Sequence, residues 1–258
     1  MDSRSPNQLL TAARNLRRRK ARERNGLFVA EGIRAVDELL RSPLKVRGVL
    51  VSEQLSGDPR GQELLGRLKQ SSIAVEEVET REFESAAETE SPQGVLAIAE
   101  MPGGSLAELP RTDSLRLLVL DAVQDPGNVG TILRTASAFG VSATFSLPGT
   151  VDLWNAKVVR SGMGAHFHHP CLSGTWDELD TFRRDRDLIV WAADAAGESI
   201  AEIAPPARLA LIVGNEGAGL SSNSRTRADR LVALPIAAAV ESLNVAVAAG
   251  ILLYELRR

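Results

Sequence analysis

The second half of the chain alternates between short, nearly unbroken apolar runs and longer amphipathic segments. The runs are "LRLLVLD" (115–121), "SATFSLP" (142–148), "LIVWAAD" (188–194), "RLALIVG" (208–214) and "RLVALPI" (230–236). Runs of this length predict strands buried on both faces, as in a parallel sheet. "NVGTILRTASAFG" (128–140), "NAKVVRSG" (155–162) and "LNVAVAAGILLYELR" (243–257) predict helices, the first closed by a C-terminal glycine. Together they predict a mostly parallel sheet with helices on both faces. Before residue 100 the pattern is shorter: helices over 32–42 and 61–71, and strands over 46–52, 73–78 and 94–99. That alternation predicts a smaller α/β domain. Between the two, residues 90–114 turn Pro-, Gly- and Ser-rich, which places a linker near 100–112 and domains at 1–105 and 112–258.

Composition narrows the class. A 258-residue chain with 44% apolar and 24% charged residues can bury a sizeable core. Its one cysteine, Cys171, excludes an internal disulfide and fits a reducing cytoplasm. The N-terminus lacks the apolar core of a signal peptide. The longest apolar stretch, "VAVAAGILLYEL", falls short of the roughly 20 residues needed to span a bilayer. A soluble cytoplasmic protein without membrane contact is expected.

Net charge is −3, but residues 1–34 hold nine basic residues against three acidic ones, leaving −9 for the rest. Within "RNLRRRKARER" (14–24), Arg17, Arg18, Arg19, Lys20, Arg22 and Arg24 form a candidate handle for phosphates. The same charges also suit the solvated face of an N-terminal helix.

In an open parallel sheet, ligands bind beyond the carboxyl ends of the strands. Three loops lie there: "DAVQDPGNVGTILR" (121–134), "GNEGAGLS" (214–221) and "LPIAAAVESLNVAVA" (234–248). The second is spaced G-x-x-G-x-G, matching neither the dinucleotide fingerprint nor the G-x-x-x-x-G-K-[ST] phosphate loop. Each loop also has a plainer reading. A glycine turn after a strand is commonly structural, Glu216 suits a solvated turn, Ser242 and Asn244 are good helix caps, and Arg134 could make a surface ion pair. "HFHHPC" (166–171) gathers all three histidines beside Cys171, but His166 and His168 alternate with Phe167 as in a strand. No second ligand cluster completes a tetrahedral set, so no metal is expected. A serine hydrolase is excluded by the missing G-x-S-x-G elbow.

Taken together, "NVGTILRTASAFG", "LIVGNEGAGLS" and "LPIAAAVESLNVAVAAGILLYE" resemble, in order and spacing, the three motifs of the SpoU (TrmH-like) RNA methyltransferases of the SPOUT superfamily. "AKVVRSGMGAHFHHP" resembles that family's intervening segment. More loosely, "NGLFVAEGIRAVDELL" resembles the start of the L30e-like substrate-binding domain that many members carry. The resemblance implies an α/β fold whose C-terminal domain holds a trefoil-knotted, mostly parallel sheet, with a smaller N-terminal L30e-like α/β domain. It implies transfer of a methyl group from S-adenosylmethionine to a ribose 2′-hydroxyl of RNA, by a homodimer joined through the C-terminal domain. The apolar final helix, with Val245, Val247, Ala248, Ile251, Leu252 and Tyr254, fits such a contact.

Position by position, the resemblance makes Asn128, Arg134, Glu216, Ser242 and Asn244 the catalytic set. It places the cofactor against Gly214, Leu234, Ile236, Leu243 and Asn244. "LNVAVA" departs where a second Ser is common, at a position read as helix packing. A sulfonium methyl is already activated, so the protein must align it with the hydroxyl and help remove a proton. A free guanidinium stays protonated and is a poor base. Arg134 is therefore expected to grip a phosphate beside the target ribose, and either to stabilise the developing alkoxide or, with its charge buffered, to accept the proton. By analogy, an L30e-like domain points to ribosomal (23S) RNA. A transfer RNA substrate, or a non-catalytic RNA-binding protein that kept the fold, are the alternatives. A dehydrogenase is disfavoured by the missing glycine fingerprint.

Overall fold

The computed structural model describes residues 8–237, 239 and 241–257; Asp2 and Arg4 of the basic N-terminal stretch lie outside them. The elements run α1 (Gln8–Leu16), α2 (Arg19–Asn25), β1 (Leu27–Glu31), α3 (Ile33–Leu40), β2 (Val46–Val51), α4 (Pro59–Gln70), β3 (Val75–Glu77), α5 (Thr80–Ala86) and β4 (Val95–Glu100). They continue with β5 (Leu115–Leu120), α6 (Pro126–Ala138), β6 (Ala143–Ser146), α7 (Ala156–Ser161), β7 (Cys171–Ser173) and α8 (Trp176–Arg186). The last are β8 (Ile189–Ser199), β9 (Arg208–Val213), α9 (Ser222–Arg227), β10 (Arg230–Ala233) and α10 (Val245–Glu255). The chain divides into two compact units, 1–102 with 154–168, and 103–153 with 169–258.

The first unit is built on a mixed sheet ordered β1-β4-β2-β3, with β4 antiparallel to both neighbours and β3 parallel to β2. Alternate residues face opposite ways, so Val29, Leu50, Leu96 and Ile98 share one core with Leu10, Ala13 and Leu16 of α1 and Phe83 of α5. Glu76 accepts from the backbone amides of Leu9 and Leu10, satisfying the start of α1 from a distant strand.

Arg22 departs from the expected phosphate-binding role. It is buried, and its guanidinium donates to the carbonyls of Leu16 (2.7 Å) and Arg17 (3.0 Å), closing the end of α1. Of the other residues assigned to the handle, Arg17, Arg18, Arg19, Lys20 and Arg24 are exposed. The strand-like alternation read at 166–168 is also corrected, because Ala165–Phe167 form a single 3-10 turn that buries His166 and Phe167.

The second unit holds six parallel strands in the order β10-β8-β9-β5-β6-β7. One face packs Leu117, Val119, Phe145, Val190, Ala210 and Ile212 with Leu179 and Phe182 of α8. Helices α6 and α10 pack on each other, and each buries an apolar stripe that includes Ile132, Leu133, Leu252 and Leu253. The Pro/Gly-rich stretch read as a linker is anchored at its far end. Leu106 and Leu109 are buried in this core, and Arg186 donates to the carbonyls of Ala107, Leu109 and Pro110.

Candidate functional site

The three loops singled out in the sequence converge at the carboxyl ends of β5, β9 and β10. After β5, Asp125 caps α6 by accepting from the Asn128 amide (2.8 Å), with Pro126 in the first turn. After β9, the chain doubles back so tightly that Asn215 and Gly219 exchange both backbone hydrogen bonds (2.9 and 3.0 Å). A Cβ on Gly214 would stand 2.5 Å from the carbonyl of Gly219, so the turn admits glycine alone. Asn215 serves two loops. Its oxygen accepts from Gly217 and Ala218, and its amide donates to the carbonyl of Ala122 (2.8 Å). Ala122 has φ of +57°, a conformation costing an L-residue about 1–2 kcal/mol, and this bond helps hold it.

Glu216 fastens the second loop to the first. Its carboxylate accepts from the amides of Gln124 (3.2 Å) and Asp125 (3.0 Å) and from Asn128 Nδ2 (3.1 Å). Burial works against its ionisation, but the bonds from Asn128 and the backbone amides outweigh it and hold the carboxyl below its ordinary range. Asn128 passes the connection on, its Oδ1 accepting from Asn244 Nδ2 (3.0 Å). Asn244 is the N-cap of α10, accepting from Ala246 and Val247. Of the two capping candidates, Asn244 caps the helix and Ser242 stands exposed before it.

Asn244 meets Asn128 at the end of β5, whereas Leu234 leaves β10, with β8 and β9 between those two strands in the sheet. Residues of the second and third loops border a pocket of about 360 Å³. Gly214, Glu216, Leu234, Ile236, Ser242 and Leu243 line it, as do Asp194 and Arg225, which the sequence reading missed. Asn128 and Asn244 sit outside the lining, joined to it through Glu216. Arg134 is not part of the pocket. It shares the exposed face of α6 with Gly127, Thr131 and Ala138, and no hydrogen bond or ion pair engages it among the described residues.

Asp121 was also unassigned from sequence. It is buried at the end of β5 and accepts from the Ser221 amide (2.8 Å) and the Ser224 hydroxyl (2.5 Å), pinning the start of α9. The remaining residues of the histidine cluster in this unit are occupied otherwise. Burial pushes His169 down to about 4, and its Nε2 shares a hydrogen bond with the Thr144 hydroxyl (2.8 Å). Burial pushes the Cys171 thiol up to about 12. Among the described residues, no three His, Cys, Asp or Glu side chains are grouped to hold a metal.

Residues 116–254 match the model of the SpoU rRNA Methylase family, more than half of the chain. The chain belongs to the SpoU rRNA methylase family. Residues 7–97 match the MRM3-like substrate binding domain. A relative from Bacillus subtilis, 23S rRNA (guanosine(2553)-2′-O)-methyltransferase RlmP, is 36% identical over 252 residues, covering 97% of this chain and 96% of its own. RlmB of Bordetella pertussis, a 23S rRNA (guanosine-2′-O-)-methyltransferase, is 34% identical over 235 residues, covering 88% and 95%. The crystal structure of the SpoU methyltransferase AviRb from Streptomyces viridochromogenes, in complex with the cofactor AdoMet, superposes with a TM-score of 0.86 at 28% identity, covering 98% and 97%. The α/β architecture with its six-stranded parallel sheet is thus the fold of known SpoU methyltransferases.

Proposed function

We propose that this protein transfers a methyl group from S-adenosylmethionine to a ribose 2′-hydroxyl of 23S ribosomal RNA. The convergence of Glu216, Asn128 and Asn244 over one pocket carries the reading, supported by the 2′-O-methyltransferase relatives. The pocket suits an S-adenosyl compound. Leu234, Ile236, Leu243 and Leu252 offer apolar walls to a flat base, and the Gly214–Gly219 turn brings backbone within reach of its edge. Bound there, S-adenosylmethionine supplies an activated methyl on a sulfonium.

The residues of the chain do the rest. The Glu216–Asn128–Asn244 relay fixes three loops against one another, so the pocket is formed before substrate arrives. Arg134, exposed and uncommitted, is available to an RNA phosphate beside the target ribose, where its planar fork can grip two oxygens. From there its charge stabilises the oxygen as the hydroxyl proton passes to solvent water.

Thr135, the chain neighbour of Arg134, borders an apolar strip on the same helix pair. Val247, Ile251 and Tyr254 are 51%, 41% and 43% exposed, and with Phe139 and Gly250 they line a shallow groove of about 330 Å³. This strip is the contact of a homodimer in our reading, which brings Arg134 to a composite site between two copies. The trefoil knot expected of the family belongs to this reading, with the third loop as part of it. The first unit binds RNA through Arg17, Arg18, Arg19, Lys20 and Arg24, without Arg22. No described helix is long and apolar enough to cross a membrane. With an rRNA substrate, the protein is cytoplasmic in our reading.

Mapping blocked 2′-hydroxyls in total RNA from a deletion strain tests the reading. One 23S position should lose its block and regain it on complementation. A position lost from transfer RNA, or from none, would contradict the assignment.

A further inference from the structure

The pairing of β8 with β10 contains a break that the apolar run at 188–194 does not announce. Leu231 pairs with Ala192, but the next residue, Val232, pairs with Glu198. Residues 193–197 are therefore extra and bulge from the sheet. The bulge is held tightly, since a Cβ on Gly197 would stand 2.6 Å from the backbone of Leu231 and Val232. Within it, Asp194 Oδ1 accepts from the Ala196 amide (2.9 Å), and the other carboxylate oxygen pairs with Arg225 of α9.

Asp194 and Arg225 line the same pocket as Gly214 and Leu234. The Asp194 side chain is only 10% exposed, whereas the pocket's other carboxylates, Glu216 and Glu241, are exposed. Glu216 is moreover committed to the first loop. Asp194 is thus a largely buried, rigidly oriented acceptor in the pocket wall.

Its position selects the part of the ligand it meets. In the cofactor reading the reacting end lies above β5, where Asn128 and Asn244 join, and β9 separates β5 from β8. Two strand spacings of about 4.8 Å put Asp194 roughly 10 Å from that end. A cofactor with its methyl over β5 presents its nucleoside to Asp194. The nucleoside's ribose carries two adjacent hydroxyl donors, and an ionised carboxylate only accepts. The same pairing of an acid with a ribose hydroxyl serves dinucleotide-binding sheets. We propose that Asp194, oriented by Arg225, accepts the ribose hydroxyls of the S-adenosyl cofactor and sets the enzyme's preference for a ribonucleoside. This rests on the cofactor reading above.

Calorimetry on the full chain tests it, using S-adenosylhomocysteine and its 2′-deoxy and 3′-deoxy counterparts. A hydrogen bond to a charged group predicts that the wild type binds at least one deoxy compound roughly tenfold or more weakly. Asp194→Ala should weaken S-adenosylhomocysteine by a similar factor and bind all three compounds equally. Arg225→Gln keeps the acceptor, so it should lose affinity while still preferring the ribose. If the Ala variant does not fold, the isosteric Asp194→Asn should shrink the preference. Wild-type protein that binds all three alike, or an Asp194 variant that keeps the wild-type ratio, overturns the proposal alone. Wild-type protein that binds none of them overturns the cofactor reading and the proposal with it.

Discussion

Asp121 offers a test whose size can be worked out from its neighbours. The carboxylate is 4% exposed and accepts from two groups, the Ser221 amide at 2.8 Å and the hydroxyl of fully buried Ser224 at 2.5 Å. Asp121→Ala leaves both donors without an acceptor. An unsatisfied buried donor costs about 1–3 kcal/mol, and the half-buried Ser221 recovers part of this from water, so a total of about 2–4 kcal/mol is expected. At about 2–4 °C per kcal/mol for a chain of this size, Tm should fall by roughly 4–16 °C. Asp121→Asn keeps an acceptor oxygen and should lose about half as much. Ser224→Ala should cost about 1 kcal/mol, and the double mutant should show about 1–2 kcal/mol of coupling. Urea unfolding followed by tryptophan fluorescence measures these values, with Trp191 on β8 as a local reporter. S-adenosylhomocysteine affinity should fall in parallel, since Asp121 pins the far end of the 214–221 loop. An Asp121→Ala variant within about 0.5 kcal/mol of wild type, or no coupling to Ser224, would refute the reasoning.

Three further outcomes follow from the same geometry. RNA binding should weaken with salt, with a log–log slope near −0.7 per phosphate contact, and replacing Arg17, Arg18 and Arg19 with Ala should flatten it by about two units; an unchanged slope would return the block to a solvated helix face. Val247→Glu or Ile251→Glu should yield monomers in light scattering, whereas a wild-type monomer at micromolar concentration would count against the dimer. Glu216 has a depressed carboxyl, so its brace is intact above the ordinary carboxylate pKa of about 4.3 and is lost only as pH falls through the lower folded value. Cofactor affinity should therefore hold from pH 7 down to about 4.3 and fall only below it, while Glu216→Gln should be weaker and flat; a wild-type loss above pH 5 contradicts this.

The second unit's central strands were legible because burial on both faces leaves no polar alternation to obscure them. Segment 208–214 reads as β9 directly. Helix α8 was hidden because "WDELDTFRRDR" buries only Leu179, Phe182 and Arg186. Its start rests on a capping box between Thr175 and Glu178, a signal present in the sequence but not used. Strand β1 was missed because it reads straight into α3, with Gly32 at φ +100° as the only break. In the site, residue types and spacing suggested the three loops, but not who binds whom. Arg22 shows the limit most plainly. Its charge matched its neighbours in the block, and only the position of two carbonyls made it a helix brace. Asp194 was invisible because a bulge placed it, and bulges leave no periodic trace.

The central claim is ribose methylation of RNA organised by Arg134, and one assay reaches it directly. Purified protein is incubated with methyl-labelled S-adenosylmethionine and unmodified 23S rRNA, and the product nucleoside is identified by mass spectrometry. Wild-type protein should place label on one ribose 2′-oxygen. Arg134→Ala should slow transfer by about a hundredfold or more while binding cofactor normally, and Arg134→Lys, lacking the planar fork, should recover little. Label on a base, no transfer to 23S rRNA, or an Arg134→Ala variant at near wild-type rate would contradict the account.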